Sequence, residues 1–242
     1  MATGWPCPDG RRRRRALPGP HPGTALLLHR QALVRLLSMQ AQSSTAPTIS
    51  PAELVRIKNS IRSAATPPDE LAALFLKGIP HPPFLGDRSI FSLAVSRLTA
   101  AARPDLVCSM LSASLTALLV PHPSEGFLIR LIALYAAVGM PTHCLSTFCL
   151  IVPPSDRALS TLLTTYYDVG QPASAIQAFR DLPAELSITR GVVSHNVLLK
   201  CMVATGDIAG ARQVFYGMPS SSNRVVFLEV EIEFAGSCMS EW

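Results

Sequence analysis

The sequence predicts an all-α protein, a right-handed α-solenoid of stacked helix-turn-helix repeats of about 31–37 residues. Three glycines each end an apolar segment, and each is followed five residues later by a small residue and nine residues later by a phenylalanine. The glycines are Gly139, Gly170 and Gly206, the small residues are Cys144, Ala175 and Ala211, and the phenylalanines are Phe148, Phe179 and Phe215. Similarity at a fixed period is typical of a repeat array, in which each unit buries its apolar face against its neighbours.

The start of the second helix in each repeat is marked by a proline in four of the five predicted units, because proline is well tolerated at the first helical position. These starts are Pro67, Pro104, Pro141, Pro172 and the equivalent Ile208, and they lie 37, 37, 31 and 36 residues apart. Asp207 precedes Ile208 and can cap its helix with the side-chain carboxylate. The sequence therefore predicts a repeat array at 47–219, with five hairpins near 50–79, 87–119, 124–152, 155–183 and 191–219.

Residues 192–219 show helical spacing most clearly. Apolar residues fall on one face of each helix, at Val197, Leu198, Cys201 and Met202 in the first and at Ile208, Ala211, Val214, Phe215 and Met218 in the second. Neither helix can bury such a stripe alone, so the stripes are predicted to form the core between neighbouring hairpins. At the other end of the array, Ser50-Pro51-Ala52-Glu53 has the spacing of a capping box.

The composition supports a folded helical protein. The 242 residues are 48% hydrophobic and 15% charged, with a mean hydropathy of +0.31, which argues against coiled-coil and disordered classes. No apolar run is long enough to cross a bilayer, and the nearest candidate, 127–139, is interrupted by Arg130. The net charge of +5 is concentrated at the start of the chain, since residues 1–52 contain seven arginines and one acid, Asp9.

The amino-terminal segment, residues 1–46, is predicted to be a transit peptide or disordered. It is rich in arginine and contains no acid after Asp9, which is typical of an organellar targeting sequence. We expect a mitochondrial address, with chloroplast as the alternative. A disordered basic tail and a nuclear signal at Arg11–Arg15 are the other readings left open.

The last 23 residues, 220–242, do not continue the helical pattern. Apolar residues alternate with glutamates at Val226, Leu228, Val230 and Ile232, a spacing typical of a strand. We expect an irregular or poorly ordered tail, as in the product of a truncated gene or an alternative transcript.

No catalytic or metal-binding motif is found in the sequence. The six cysteines form no close C-x-x-C pair, and Cys144 and Cys201 occupy apolar helical positions that predict core residues. His143 and Cys144 are adjacent and point about 100 degrees apart on a helix, so they do not predict a ligand pair. We therefore expect no catalysis, no cofactor and no metal.

The repeat at 192–219, VVSHNVLLKCMVATGDIAGARQVFYGMP, resembles a pentatricopeptide repeat of the plant organellar type. The resemblance rests on the Val-Val-x-x-Asn start, the Leu-Leu pair, Gly-Asp at the turn, a small residue followed by Phe, and the closing Met-Pro. Residues 156–183 fit nearly as well, residues 125–152 fit moderately, and the units around Pro104 and Pro67 are degenerate.

This resemblance implies a protein that binds single-stranded RNA, one base per repeat, with side chains of the first helices reading the bases. Carried over to this sequence, Asn196 is the fifth-position reading residue and Val193 the second-position residue that packs against bases. Ser160 and Arg157 are their equivalents one repeat earlier, where the repeat ends on Gly191, which has no side chain to read with. His195 is expected either to stack on a base or to be solvated at its helix start.

Three functions stay open from the sequence. The first is sequence-selective RNA binding in organellar RNA processing, stability, splicing or translation, with RNA and other RNA-processing proteins as partners. The second is a protein–protein interaction scaffold similar to tetratricopeptide arrays, which Ile129 at a reading position favours. The third is a truncated, non-functional product.

Overall fold

The computed structural model describes residues 49–117 and 123–218, and all regular secondary structure in these two ranges is α-helical. The all-α prediction is therefore confirmed. The helices are α1 (Pro51–Arg62), α2 (Pro68–Gly78), α3 (Pro82–Leu85), α4 (Arg88–Ala100), α5 (Pro104–Ala117), α6 (Glu125–Ala137), α7 (Pro141–Phe148), α8 (Asp156–Asp168), α9 (Pro172–Leu186), α10 (Val192–Ala204) and α11 (Ile208–Gly217). The predicted targeting segment at 1–46 and the predicted tail at 220–242 lie outside the described residues.

Ten of the helices in the described ranges form five pairs, and α3 lies between the first and second pair. We call α1, α4, α6, α8 and α10 the first helices, and their partners α2, α5, α7, α9 and α11 the second helices. Each first helix packs on its own second helix, and α6 packs on α8 as α8 packs on α10. The second helices α2, α5, α7 and α9 also contact the first helix of the following pair. Neighbouring pairs thus share the apolar surface that a single pair would leave exposed.

The helix starts follow the prediction closely. Helices begin at Pro104, Pro141, Pro172 and Ile208, as predicted. The prediction for Pro67 is wrong by one residue, because α2 begins at Pro68 and Pro67 is extended, with ψ of 156°. A proline disfavours the helical conformation in the residue before it, so Pro68 keeps Pro67 outside the helix.

Side-chain caps close several helix starts. The Ser50 hydroxyl accepts a hydrogen bond from the Glu53 amide at 3.2 Å, and Asp207 accepts one from the Gly210 amide at 2.9 Å. Both caps were predicted. Ser124 and Ser155 cap α6 and α8 in the same way, so orphan amides of the first turn are satisfied by short polar side chains.

The three glycines of the repeat frame turn the chain from a first helix to a second. Gly139, Gly170 and Gly206 have φ of +74°, +73° and +81°, and each lies two residues after the end of its first helix. A Cβ on any of them would meet no atom within 4 Å, so backbone conformation and not space explains the glycine. In the second hairpin the equivalent residue is Ala102, which adopts a φ of 54° at the energetic cost of a side chain.

The core is continuous from Ile57 in α1 to Met218 after α11. The phenylalanines of the repeat frame, Phe148, Phe179 and Phe215, are buried, as predicted. Of the stripes predicted in the last hairpin, Leu198, Cys201, Met202, Ala211, Phe215 and Met218 are buried. Val197 and Val214 are half-buried against the core, and Ile208 is half-buried.

The short helix α3 lies between the first two predicted hairpins, where the sequence analysis placed no helix. Its Phe84 is fully buried, and its ring packs edge-on against Phe75, with 5.0 Å between ring centroids. A Cβ at Gly78 would collide with the Phe84 ring, so the glycine at the end of α2 allows this close approach. Burial of one aromatic side chain thus orders the linker between the first two hairpins.

Carboxylates link the later hairpins to one another. Glu125, the first residue of α6, accepts a hydrogen bond from the Ser155 amide at 2.8 Å, and Asp156, the first residue of α8, accepts one from the Gly191 amide at 2.8 Å. In both cases the donor is the residue immediately before the next first helix. A Cβ on Gly191 would collide with the Asp156 carboxylate, which explains why this position has no side chain.

Candidate nucleic-acid interface

A groove of about 480 Å³ opens across the first helices α6, α8 and α10. Alanines of α6, mostly hydroxyl side chains of α8 and one valine of α10 line it: Ala133, Ala136, Ala137, Ser160, Thr161, Thr164, Thr165, Asp168 and Val193. The groove exists because α6 places its smallest side chains here, at positions three and four residues apart that share one side of a helix. Its volume falls in the range of clefts that bind small ligands or parts of larger ones.

Polar side chains follow one stripe along α8. Arg157, Thr161, Thr164 and Asp168 are spaced by four, three and four residues, which places them on the same side of the helix. Arg157, Thr164 and Asp168 are exposed. The stripe therefore runs from a positive charge at the amino end of α8 to a negative charge at its carboxyl end. Arg157 was predicted from the sequence, and the same helical spacing could have identified the other three.

Most hydroxyl protons in the groove are already used within α8. Ser160 Oγ and Thr161 Oγ1 both donate to the Arg157 carbonyl oxygen, at 2.9 and 2.8 Å, and Thr165 Oγ1 donates to the Thr161 carbonyl oxygen at 2.9 Å. Since each hydroxyl has a single proton, these oxygens offer only lone pairs to a ligand. Ser160 is also 5% exposed, so it can present an acceptor at the floor of the groove and little else.

The two predicted residues of α10 have different surroundings. Val193 is 56% exposed and lines the groove, so an apolar side chain faces solvent beside the hydroxyls of α8. Asn196 is half-buried and does not line the groove, and its Oδ1 is buried with no hydrogen-bond partner in the described residues. A buried amide oxygen without a donor is rare in folded proteins. Of the four predicted site residues, the structure brings Ser160 and Val193 to one groove and leaves Arg157 and Asn196 outside its lining.

His195 lies in the first turn of α10 and has contacts that the sequence did not indicate. Its Nδ1 lies 2.7 Å from the Gly191 carbonyl oxygen, and its ring packs edge-on against Phe179 of α9, with 5.1 Å between centroids. The imidazole ring is half-buried, so one part of it contacts Phe179 and another part remains accessible. Contact between α9 and α10 decides its orientation.

Arg130 adds a second positive charge on α6. It lies three residues before Ala133, on the same side of that helix. Its guanidinium carbon is 5.0 Å from the centre of the Phe127 ring and 5.6 Å from that of Phe91. Its Nε and Nη1 are buried with no hydrogen-bond partner among the described residues. Burial, with the nearby charge of Arg88, lowers the pKa of Arg130. The sequence showed Arg130 only as an interruption of an apolar run.

Ile129, the apolar residue at a predicted reading position, packs partly against the core.

In the described ranges, no group of three or more His, Cys, Asp or Glu side chains is placed to hold a metal ion. None of the described helices combines the length and the apolar character needed to cross a bilayer.

Comparison with known proteins finds no family model, no curated protein and no solved structure that matches this chain. The resemblance to pentatricopeptide repeats therefore rests on the residues of the repeats themselves.

Proposed function

We propose that this chain binds single-stranded RNA on the face formed by its first helices, as a non-catalytic protein of the pentatricopeptide type. The observation that carries the proposal is the groove across α6, α8 and α10, which joins Ser160 and Val193 from two successive repeats. A base stacked against Val193 would meet alanine methyl groups on one side and hydroxyl lone pairs on the other. Stacking and hydrogen bonding to splayed bases are how proteins usually read single-stranded RNA.

The charges beside the groove suggest how the RNA backbone lies. Arg157 is exposed near the start of α8, whereas the Nε and Nη1 donors of Arg130 on α6 are buried beside aromatic rings. Asp168 repels phosphate at the far end of the α8 stripe. The phosphates are therefore expected near Arg157, where contacts to the backbone position the RNA without reading its sequence.

Asn196 is the proposed source of base selectivity. Its amide offers a donor and an acceptor to a base edge, and the buried Oδ1 is the acceptor that still lacks a partner. A base amino group that reaches Oδ1 would satisfy it. Cytosine, adenine and guanine all carry such an amino group, so the pyrimidine preference comes from the family resemblance and not from this contact.

The same proposal includes a right-handed α-solenoid. Its support is the recurrence of one packing scheme, in which first helices contact one another from α6 to α10 and second helices contact the following first helix. First helices begin 37, 37, 31 and 36 residues apart, the spacings of the sequence repeat. Such stacking would align the reading positions along one face.

The proposed cellular location is based on the arginine-rich, acid-poor start of the chain. We propose a mitochondrial protein, with chloroplast as the alternative, that acts in organellar RNA processing, stability, splicing or translation together with other RNA-processing proteins.

A protein-interaction scaffold is the second candidate. The specific observation in its favour is the apolar character of the groove, which three alanines and the exposed Val193 provide. An apolar side chain of a partner protein would fit the same space as a base. The two candidates differ in their dependence on salt, because displaced counterions make RNA binding weaken steeply as salt rises.

The test compares two arginines that differ in position but not in charge. The full chain, Arg157→Glu and Arg180→Glu are titrated with a pool of short single-stranded RNAs over a range of salt concentrations. Arg180 is exposed on the second helix α9 and serves as the matched control. We expect Arg157→Glu to weaken binding about tenfold and to reduce the salt slope by about one, and Arg180→Glu to change it less than about twofold.

Asn196→Ala is tested in the same titration with pyrimidine-rich and purine-rich pools. It is expected to lose the pyrimidine preference while keeping the salt slope. Failure of the full chain to retain RNA, or equal losses from the two arginine variants, would contradict the proposal and favour the scaffold.

A further inference from the structure

Four polar side chains from three helices meet on the far side of α6 from the groove. Cys108 Sγ of α5 lies 3.3 Å from His143 Nε2 of α7 and 3.9 Å from Ser112 Oγ. Ser112 Oγ in turn lies 3.2 Å from the Tyr135 hydroxyl of α6. Cys108 and His143 are 35 residues apart, and no sequence pattern links them.

The His143 ring is held in place by stacking. It lies nearly parallel to the Tyr135 ring, with 5.1 Å between centroids and 27° between planes. Its Nδ1 is buried and has no hydrogen-bond partner in the described residues. A buried N–H group without an acceptor costs more than a buried lone pair without a donor, so the favoured tautomer carries its proton on Nε2. In that tautomer His143 donates a hydrogen bond to the Cys108 sulfur.

Ser112 provides a second donor to the same sulfur. Burial raises the pKa of Tyr135 to about 12, so its hydroxyl keeps its proton and can donate to Ser112. Ser112 can then direct its own proton toward Cys108. Two donors aimed at one sulfur stabilise a thiolate, which is the nucleophilic form of cysteine.

Access also separates Cys108 from the other cysteines in the described ranges. Cys108 is half-buried, whereas Cys144, Cys149 and Cys201 are buried. Burial raises the pKa of the Cys144 and Cys201 thiols to about 11, which keeps them protonated. Reactive cysteines are typically accessible and surrounded by donors or positive charge, whereas buried ones are inert.

We propose that Cys108 is a site of thiol–disulfide exchange, at which a low-molecular-weight disulfide forms a mixed disulfide with Sγ. The Cys108 thiol first loses its proton to solvent, and His143 and Ser112 stabilise the thiolate. The thiolate attacks one sulfur of the disulfide, a new S–S bond forms and the old one breaks. The leaving thiolate takes a proton from solvent, so Cys108 is oxidised, one half of the disulfide is reduced, and no further reactant is needed.

The experiment uses the full chain with Cys7→Ser and Cys238→Ser, because these two cysteines lie outside the described residues. The protein is incubated with oxidised glutathione, and the mixed disulfides are located over time by peptide mass mapping. We expect Cys108 to react at least about tenfold faster than Cys144, Cys149 and Cys201.

Two ring substitutions test the role of the histidine. His143→Phe keeps a ring against Tyr135 and removes the donor, and it is expected to slow exchange at Cys108 about tenfold. His195→Phe is the matched control, since His195 also packs against an aromatic ring but lies far along the chain in α10, and it should leave the rate unchanged. Circular dichroism melts verify that each variant is folded.

Equal rates at all four cysteines of the parent protein would overturn the proposal, as would an unchanged Cys108 rate in folded His143→Phe. If His143→Phe does not fold, Ser112→Ala replaces it, because it removes the other donor without touching a ring. A slower rate at Cys108 in folded Ser112→Ala supports the site, and an unchanged rate overturns it.

Discussion

The two hairpins at residues 50–117 and the three at 124–218 each consist of a first helix and a second helix, but different contacts stabilise the two regions. In the later region one set of features recurs. A glycine with positive φ, Gly139, Gly170 or Gly206, follows each first helix, and Glu125 and Asp156 each link one hairpin to the next through a backbone amide.

The earlier region uses contacts that occur once. Arg97 of α4 donates four hydrogen bonds to carbonyl oxygens at the turn between α1 and α2. Lys58 of α1 pairs with Asp87, the cap of α4, at 2.8 Å. The rings of Phe75, Phe84 and Phe91 form a compact group that orders the linker through α3.

Comparison of the two regions shows that the paired-helix fold can persist where the repeat pattern in the sequence is largely lost. Helix pairs recur at similar spacings in both regions, and prolines start second helices in both. The turn glycines and the carboxylate links between hairpins recur only in the later region. The groove lies in that later region, which is where a common reading register along successive first helices would be preserved. The earlier hairpins are expected to extend and stabilise the array more than to read bases.

Removing the Arg97 clamp should have the largest effect on stability. Arg97→Ala leaves the Ile61, Ser63, Ala64 and Thr66 carbonyl oxygens without this donor. We expect a loss of about 2–3 kcal/mol in the free energy of unfolding, measured by urea titration. Arg56→Ala, at an exposed position of α1, is the control and should change it by less than about 0.5 kcal/mol. Equal effects would show that the earlier region does not depend on this clamp.

The sequence predicted the recurring features and missed the single ones for a physical reason. Glycines at the turns, prolines at helix starts and the buried phenylalanines act within one repeat, so their spacing is visible in the chain. The Arg97 clamp joins residues 31 to 36 positions apart, and Cys108 meets His143 across 35, with no pattern to reveal either. At the candidate site the sequence indicated Ser160 and Val193, which line one groove, but it did not indicate that the His195 ring packs against Phe179.

The Lys58–Asp87 pair predicts a pH dependence confined to the earlier region. Burial alone would raise the pKa of Asp87, but hydrogen bonds from Lys58, Ser89 and the Ile90 amide lower it from 3.8 to about 2. A lowered pKa stabilises the folded state above about pH 4, and that contribution is lost as the pH falls towards 2.

Lys58→Met should therefore destabilise the protein by about 1–2 kcal/mol at pH 7 and by much less near pH 2. Thermal melts at both pH values measure the difference. The control is Lys77→Met, because the Lys77–Glu53 pair is largely exposed and should contribute little at either pH. A Lys58→Met deficit that does not shrink in acid would show that the pair is not the source.

Exchanging the turn residues between the two regions is expected to change stability least, and in opposite directions in the two regions. Gly170→Ala places a side chain at a φ of +73° and should cost about 1 kcal/mol, whereas Ala102→Gly relieves a φ of 54° and should stabilise the protein by about 0.5–1 kcal/mol. Gly126→Ala, within α6 and with open space around it, is the control and should be neutral or stabilising. The two turns would not be equivalent if urea titrations showed that both substitutions raise the free energy of unfolding, or that both lower it.

The central claim is that RNA contacts the first-helix face, and photocrosslinking tests it most directly. Thiouridine-containing single-stranded RNA is irradiated with the full chain, and crosslinked residues are located by mass spectrometry. The account predicts crosslinks on the α8 and α10 side of the groove, at Thr161, Thr164 and Val193, which Arg157→Glu reduces and Arg180→Glu does not. Crosslinks confined to the second helices α9 and α11, or none above background, would contradict it.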